Sequence, residues 1–159
     1  MDDKLIVGIA DMKMAQGAGT LVTYALGSCI GICLYDPMIK LAALIHIMLP
    51  LNMEAGRKTP LKYADTGIRE TLREMEARGA SRARMIAKIA GGAKMFEVSG
   101  GNMGNIGVRN AESVRMTLKR EGIRLAFEDV GGTVARTVFF NAADGQGSIR
   151  SYGKPDIVF

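Results

Sequence analysis

The chain has no tryptophan, one histidine and two cysteines among its 159 residues. These side chains supply at most three of the four ligands of a structural zinc site, and two cysteines four residues apart on a strand chelate poorly. The same spacing places Cys29 and Cys33 about 13 Å apart on a strand, beyond the roughly 7 Å that a disulfide spans. We therefore expect two free thiols and no metal site.

The sequence also lacks a long hydrophobic run. The longest, from Leu41 to Leu51, contains a histidine and a proline and is far shorter than the roughly 20 residues that a membrane helix needs. The N-terminus begins with acidic residues rather than with the basic and apolar segments of a secretory leader. With so few cysteines, these features predict a cytoplasmic protein that does not insert directly into a membrane.

Blocks of like charge are missing as well, although the net charge is +5 and the isoelectric point is about 9.4. A basic balance permits an acidic protein partner, an acidic membrane surface or nucleic acid, and also an ordinary solvated surface. A nucleic-acid interface would need basic residues interleaved with exposed aromatics. The nine Phe and Tyr residues form no such run, so we expect no nucleic-acid partner.

Hydrophobic patterning predicts mostly strands with two separate helices, which is typical of a mixed α+β domain. The first helix is expected to open at Thr59-Pro60 and to end at Gly79, since threonine caps helices and proline suits the first helical position. The second helix is expected to begin between Asn105 and Asn110 and to end before Gly122. The predicted strands are 4–9, 21–25, 29–35, 40–48, 84–89, 124–130, 134–140 and 148–152.

The most informative pattern is a predicted hairpin that carries Cys29 on one strand and His46 on the other. A turn centred between Pro37 and Met38 would pair the two strands so that Cys29 faces His46, with Cβ atoms roughly 5 Å apart. A one-residue slip would place the histidine among isoleucines, which the burial pattern disfavours. A thiol beside an imidazole is the minimum equipment for nucleophilic acyl chemistry.

Two simpler interpretations remain open at this point, since a free cysteine is often a small buried hydrophobe and a lone histidine is often a core residue. Cys29 differs from Cys33 because it follows Gly27 and Ser28. A tight backbone there can direct the N–H groups of residues 27, 28 and 29 at one point, as an oxyanion hole requires. We expect Cys33 to be a core residue. A peptidase or a transglutaminase would use the same thioester chemistry.

Several motifs occur in order over nearly the whole chain. They are Thr23, Leu26-Gly27-Ser28-Cys29, His46-x-Met48-Leu49-Pro50, Lys62-Tyr63-Ala64-Asp65, Lys88-Ile89-Ala90-Gly91-Gly92-Ala93-x-Met95-Phe96, Asn105-Ile106-Gly107-x-Arg109-Asn110 and Asp129-x-Gly131-Gly132-x-x-Ala135-Arg136. In this order and spacing they resemble the CheD family of chemotaxis receptor glutamine deamidases. One stretch of this sequence, the Gly- and Asn-rich residues 99–104, departs from the family pattern.

The resemblance implies a cysteine hydrolase with Cys29 as nucleophile, His46 as base and Thr23 as third member, and without a metal or organic cofactor. It implies that residues 1–159 form a single glutamine deamidase domain. The expected fold is an α+β central β-sandwich of two mixed sheets flanked by helices, similar to the catalytic domain of the cytotoxic necrotizing factor toxins.

The resemblance also implies a reaction and two partners. The expected reaction converts glutamine to glutamate through a thioester, on the cytoplasmic helices of methyl-accepting chemotaxis receptors. The expected binding partner is a CheC-type phosphatase. The alternative hypothesis is a regulatory binding module that acts on such a phosphatase without catalysis of its own.

Overall fold

Two five-stranded sheets pack face to face in the computed structural model, which describes residues 4–52, 59–95 and 105–159. Within those residues the strands are β1 Lys4–Ile6, β2 Asp11–Gln16, β3 Thr20–Leu26, β4 Ile30–Asp36, β5 Leu41–Ile47, β6 Ile86–Gly91, β7 Arg124–Val130, β8 Arg136–Asn141, β9 Gly147–Arg150 and β10 Ile157–Val158. The helices are α1 Ala64–Ala77 and α2 Ile106–Arg120, and a short 3-10 turn spans Pro60–Lys62.

Both sheets are mixed. The first sheet has the order β1-β3-β8-β9-β10 and the second has the order β2-β5-β4-β6-β7. The pairs β1–β3 and β6–β7 are parallel, and the other pairs are antiparallel. The predicted α+β sandwich of two mixed sheets with flanking helices is therefore confirmed.

The second sheet forms the middle layer, because both of its faces are covered. One face of β4 and β5, with Ile32 and Ile45, packs against α1 and α2. The other face, with Cys33 and Leu44, packs against the first sheet. Double coverage explains why every residue of β4 and β5 is buried and why these strands appear as almost continuous apolar runs.

The two helices agree with the sequence patterns at their C-terminal ends. Gly79 and Gly122 follow α1 and α2 with φ angles of 101° and 74°, the left-handed backbone that glycine favours after a helix. The predicted start of the first helix is wrong. Thr59 and Pro60 open the 3-10 turn instead, and α1 begins only after Tyr63, which is extended with ψ 144°.

The predicted hairpin register is wrong by two residues. Asp36 pairs with Leu41 across a four-residue loop, because Asp36 Oδ1 accepts a hydrogen bond from the Met38 N–H and Lys40 adopts a left-handed φ of 51°. A shift of two keeps every side chain on its predicted face. It nevertheless changes each partner, so His46 lies opposite Gly31 rather than opposite Cys29.

Two strands were not expected from the sequence. β2 carries Asp11, Lys13 and Gln16 and lies at an edge of the second sheet, where one side of the strand faces solvent and apolar alternation is weak. β10 contains two residues, too few to show a period. The strand predicted from residue 29 begins at Ile30, which leaves Cys29 in the preceding loop.

Candidate active site

The three candidate catalytic residues come from three segments at one end of the sandwich. Thr23 lies on β3, His46 lies on β5, and Cys29 ends the loop that joins β3 to β4. Gly31, the residue opposite His46, is only two positions beyond Cys29. The Cα atoms of Cys29 and Gly31 are therefore at most about 7 Å apart. The thiol and the imidazole thus belong to the same corner, although they are not a directly opposed pair.

The hydroxyl of Thr23 links two partners. Its Oγ1 donates to the carbonyl oxygen of Val7 at 2.8 Å and lies 2.7 Å from Nδ1 of His46. A carbonyl can only accept, so the single hydroxyl proton is directed to Val7, and Oγ1 must accept from the ring nitrogen. His46 is therefore the Nδ1–H tautomer, and its Nε2 carries the lone pair available to a substrate or a thiol.

Close packing of the two sheets brings Thr23 to His46, and Gly31 permits it. A Cβ at Gly31 would lie 3.0 Å from Cδ1 of Leu26 and 3.4 Å from Cγ2 of Thr23. Any side chain there would press against β3. The absence of a side chain lets β3 approach β4 closely enough for the hydroxyl to reach the buried ring, which is 4% exposed.

The loop before β4 is held by its carbonyl groups. The carbonyl oxygens of Gly27 and Cys29 accept from the N–H groups of Ala93 at 2.8 Å and Gly92 at 2.9 Å, and that of Ser28 accepts from Asn110 Nδ2 at 2.9 Å. Within residues 4–52, 59–95 and 105–159, the structure gives the N–H groups of residues 27–29 no carbonyl partner. These are the groups that the sequence suggested for an oxyanion hole.

A partly buried ion pair supports the strand beside this loop, with Arg136 buried and Asp129 28% exposed. Arg136 Nε bonds Asp129 Oδ2 at 3.1 Å, and its Nη1 donates to the carbonyl of Gly91 at 3.1 Å. Gly91 has a φ of +121°, and a Cβ there would overlap the carbonyl oxygen of Cys29. The motif residues 91, 129 and 136 therefore hold the segment against which Cys29 rests.

Asn110 on α2 connects the two halves of the site. Its Nδ2 donates at 2.9 Å to the carbonyl of Ser28 and at 2.9 Å to that of Met48, two residues beyond His46. The sequence marked Asn110 only as the last residue of a family motif. A usable signal is its spacing of four residues from Val114, which puts a polar side chain on the apolar face of α2, where it is fully buried. The Val7 carbonyl leaves no sequence signal, because every residue has one.

Burial controls the ionisation of both reactive groups. Burial raises the pKa of the half-buried Cys29 thiol, although the N–H of the same residue acts in the opposite direction. Burial lowers the pKa of His46. At neutral pH these directions favour a thiol beside a neutral imidazole, the state from which a base removes the proton as attack begins.

Neither a metal cluster nor a membrane helix is found in the part of the chain that the structure describes. No three His, Cys, Asp or Glu side chains there lie close enough to share a metal ion. No helix among these residues is long and apolar enough to cross a membrane. Cys29 and Cys33 are both free thiols, and Cys33 is buried, as the sequence predicts for a core residue.

Two comparisons of the sequence with known proteins agree on one family. A family model described as CheD chemotactic sensory transduction matches residues 48–151. A protein from Syntrophomonas wolfei, named as a probable chemoreceptor glutamine deamidase CheD, is 46% identical over 149 residues, 92% of each chain. The chemoreceptor glutamine deamidase CheD of Thermotoga maritima is 43% identical over 152 residues, covering 94% of this chain and 93% of that protein.

One solved structure shares the fold at low identity. A crystal structure of a Neisseria meningitidis protein of the DUF152 family aligns with a TM-score of 0.55 and 15% identity, over 84% of this chain and 65% of that one. At that identity the likeness concerns the fold alone, and the sequence comparisons carry the assignment. By the match to the family model and the identity to its relatives, this chain belongs to the CheD family.

Proposed function

We propose that the protein hydrolyses glutamine side-chain amides of chemoreceptors to glutamate, with Cys29 as nucleophile, His46 as base and Thr23 as the group that orients the base. The observation that carries the proposal is the bond between Thr23 and His46 Nδ1, at the corner where Cys29 enters β4. A base fixed by a third group is the arrangement that activates a thiol or hydroxyl nucleophile. The names of the close relatives supply the substrate.

The first half of the reaction forms a thioester. His46 Nε2 takes the thiol proton while the sulfur of Cys29 attacks the amide carbon, and the carbonyl π electrons move onto oxygen. When that oxyanion collapses, the bond from carbon to nitrogen breaks and His46 gives its proton to the departing ammonia. Nδ1 stays protonated throughout, because Thr23 accepts its hydrogen bond.

The second half restores the enzyme. His46 takes a proton from water, whose oxygen attacks the thioester carbon, and collapse of this second oxyanion breaks the bond from carbon to sulfur. The thiolate regains its proton from the imidazolium, and the product is a glutamate side chain. None of these steps draws on a metal or an organic cofactor.

The negative oxygen of both intermediates needs hydrogen-bond donors. We assign this role to backbone N–H groups of the loop, with that of Cys29 first and those of Gly27 and Ser28 as candidates for a second donor. The carbonyl groups of residues 27–29 already hold the loop through hydrogen bonds from Ala93, Asn110 and Gly92. The N–H groups of the same residues are therefore not needed to hold the loop and can serve the substrate. Fixed dipoles of this kind are typically worth about 10²- to 10³-fold in rate for each donor.

The segments next to the site residues carry exposed apolar side chains, which would suit a helical substrate. Ile9, Tyr24, Leu51 and Met95 are each at least 44% exposed, and they belong to segments adjacent to the site residues. We propose that the cytoplasmic helices of the receptor lie across this rim, with the positive net charge favouring an acidic substrate. We propose that a CheC-type phosphatase occupies the same surface and competes with the receptor for it. The proposed place of action is the cytoplasm.

The decisive experiment incubates a receptor cytoplasmic fragment with the protein and with its Cys29→Ala variant. Peptide mass spectrometry should find glutamine converted to glutamate by the wild type and not by the variant. Binding of each protein to a CheC-type phosphatase is measured in parallel. Unmodified glutamines after wild-type treatment, together with tight phosphatase binding, would favour the alternative of a regulatory binding module.

A further inference from the structure

Asn110 joins the nucleophile loop to the strand that carries the base. Its two amide protons go to two carbonyl oxygens, those of Ser28 and Met48, each at 2.9 Å. Because both partners are acceptors, the orientation of the side-chain amide is fixed, with nitrogen toward the loop. The residue is fully buried, so water does not compete for these bonds.

The bond to Ser28 determines where the next N–H points. The peptide unit between Ser28 and Cys29 is planar and trans, so its carbonyl and its N–H point in opposite directions. The carbonyl points to Asn110 on α2, and α2 covers the outer face of the second sheet. The N–H of Cys29 is therefore directed to the inner face, where His46 and Thr23 lie.

The peptides on both sides of this unit are held as well. The carbonyl oxygens of Gly27 and Cys29 accept from the N–H groups of Ala93 at 2.8 Å and Gly92 at 2.9 Å, so the Ser28–Cys29 peptide is fixed by its neighbours. We propose that Asn110 is a positioning residue that presets the Cys29 N–H as an oxyanion donor by anchoring the Ser28 carbonyl; this proposal rests on the proposed deamidase function.

The energetics of Asn110 support a role beyond packing. Its Oδ1 is buried and has no hydrogen-bond partner among the described residues, which is unfavourable for a polar atom. An apolar side chain at this position on α2 would avoid that cost, but it would release both carbonyls. Asn110 therefore lowers the stability of the fold while it holds the loop in place, and a residue with such a cost usually has a functional role.

The test separates donor orientation from the reactivity of the thiol. Deamidation requires an oxyanion hole, whereas alkylation of Cys29 by iodoacetamide displaces iodide at a saturated carbon and forms no oxyanion. For Asn110→Ala we expect kcat on the receptor fragment to fall about 10²-fold. The rate of Cys29 alkylation and its pH profile should stay within about threefold of wild type, and KM should change little.

Ser113→Ala is the matched control. Ser113 lies on the same helix, and its Oγ donates at 2.5 Å to the carbonyl of Pro50, so the variant also removes a bond from α2 to the loop after β5. It does not touch residues 27–29, and we expect kcat within about threefold of wild type. If Asn110→Ala does not fold, Asn110→Leu is measured instead, because leucine fills a similar volume and removes both amide protons without burying an unpartnered polar atom or a charge.

Each outcome is decisive. A selective loss of kcat in the Asn110 variant, with alkylation unchanged, supports the proposal. Equal losses of deamidation and alkylation would overturn it, because Asn110 would then set the thiol and imidazole or the fold as a whole. Unchanged kcat would overturn it as well. Lack of deamidation by the wild type would instead contradict the proposed function, independently of Asn110.

Discussion

Oγ1 of Thr23 lies 2.7 Å from Nδ1 of His46 and at the same time donates to the carbonyl of Val7. This pair of contacts turns a threonine into an acceptor for an imidazole proton, the part that a carboxylate performs in serine hydrolases. A neutral hydroxyl stabilises an imidazolium less than a carboxylate does. The arrangement therefore orients the ring without raising its basicity, in keeping with the lowered pKa of His46.

Replacing Thr23 should affect the base without moving it far. Thr23→Val keeps the branched shape and removes the hydroxyl, so Nδ1–H loses its acceptor and the ring can adopt the other tautomer. We expect kcat to fall about 10- to 100-fold, a part of the roughly 10²- to 10⁴-fold that a positioned base contributes. Thr23→Ser retains the hydroxyl and should stay within about threefold of wild type. Equal activity of the two variants in steady-state deamidation assays would contradict the orienting role.

The ionisation of His46 can be measured directly, because it is the only histidine in the chain. In protein labelled with ¹⁵N-histidine, we expect an Nδ1–H tautomer and a titration midpoint below the usual value of about 6.5. Burial is the cause of the lowered pKa. The carboxylate of Asp11 lies opposite His46 on β2, but it already accepts hydrogen bonds from the N–H groups of Gly8 and Met12. Asp11→Asn should therefore leave the midpoint nearly unchanged.

The same shift predicts how stability depends on pH. Between the folded pKa of His46 and about 6.5, the unfolded chain binds a proton that the folded chain does not. The His46 contribution to the free energy of unfolding is therefore fully present above about pH 6.5 and is lost as pH falls through the folded pKa. Urea unfolding of wild type and His46→Gln across pH 5 to 8 should show this loss in the wild type alone.

Much of this site follows from local pattern, but its exact contacts do not. The two-residue period of a strand predicted that His46 shares a face with Cys29, and a register shift of two residues leaves that face unchanged. It did not fix the register, which depends on the loop conformation at Asp36 and Lys40. Thr23 was found only through the family resemblance, since a strand threonine has no distinctive local signal.

The contacts made by backbone groups could not be predicted from the sequence. The Val7 carbonyl that directs the Thr23 proton and the peptide that Asn110 anchors depend on how distant segments meet. Side-chain identity gives no information about such groups. Glycine is a partial exception, because a pair such as Gly91-Gly92 predicts a turn or a close approach of two backbones. Gly91 shows both features: its φ is positive, and its Cα lies against the carbonyl oxygen of Cys29.

Cysteine labelling tests the resting state of the nucleophile. We expect iodoacetamide to alkylate Cys29 in the folded protein and to spare Cys33, which is 1% exposed, whereas denatured protein should be labelled at both. Burial raises the pKa of Cys29, so its alkylation rate should increase with a midpoint above about pH 8.5. Fast alkylation near pH 6 would instead indicate a preformed thiolate and imidazolium pair, and it would contradict the base mechanism proposed here.

Glycine substitutions can distinguish backbone strain from contact with the nucleophile loop. Gly17 and Gly91 both have positive φ angles, but a Cβ at Gly17 meets nothing within 4 Å, whereas a Cβ at Gly91 overlaps the Cys29 carbonyl oxygen. Gly17→Ala should cost about 1 kcal/mol in the free energy of unfolding through strain alone and leave kcat unchanged. Gly91→Ala should cost about 3 kcal/mol or more, because overlap adds to strain. Because the nucleophile loop must move to relieve the overlap, Gly91→Ala should also lower the deamidation rate, normalised to the amount of Cys29 that iodoacetamide can alkylate. If the two substitutions had equal effects in urea unfolding and deamidation assays, the contact between Gly91 and Cys29 would have no role in activity.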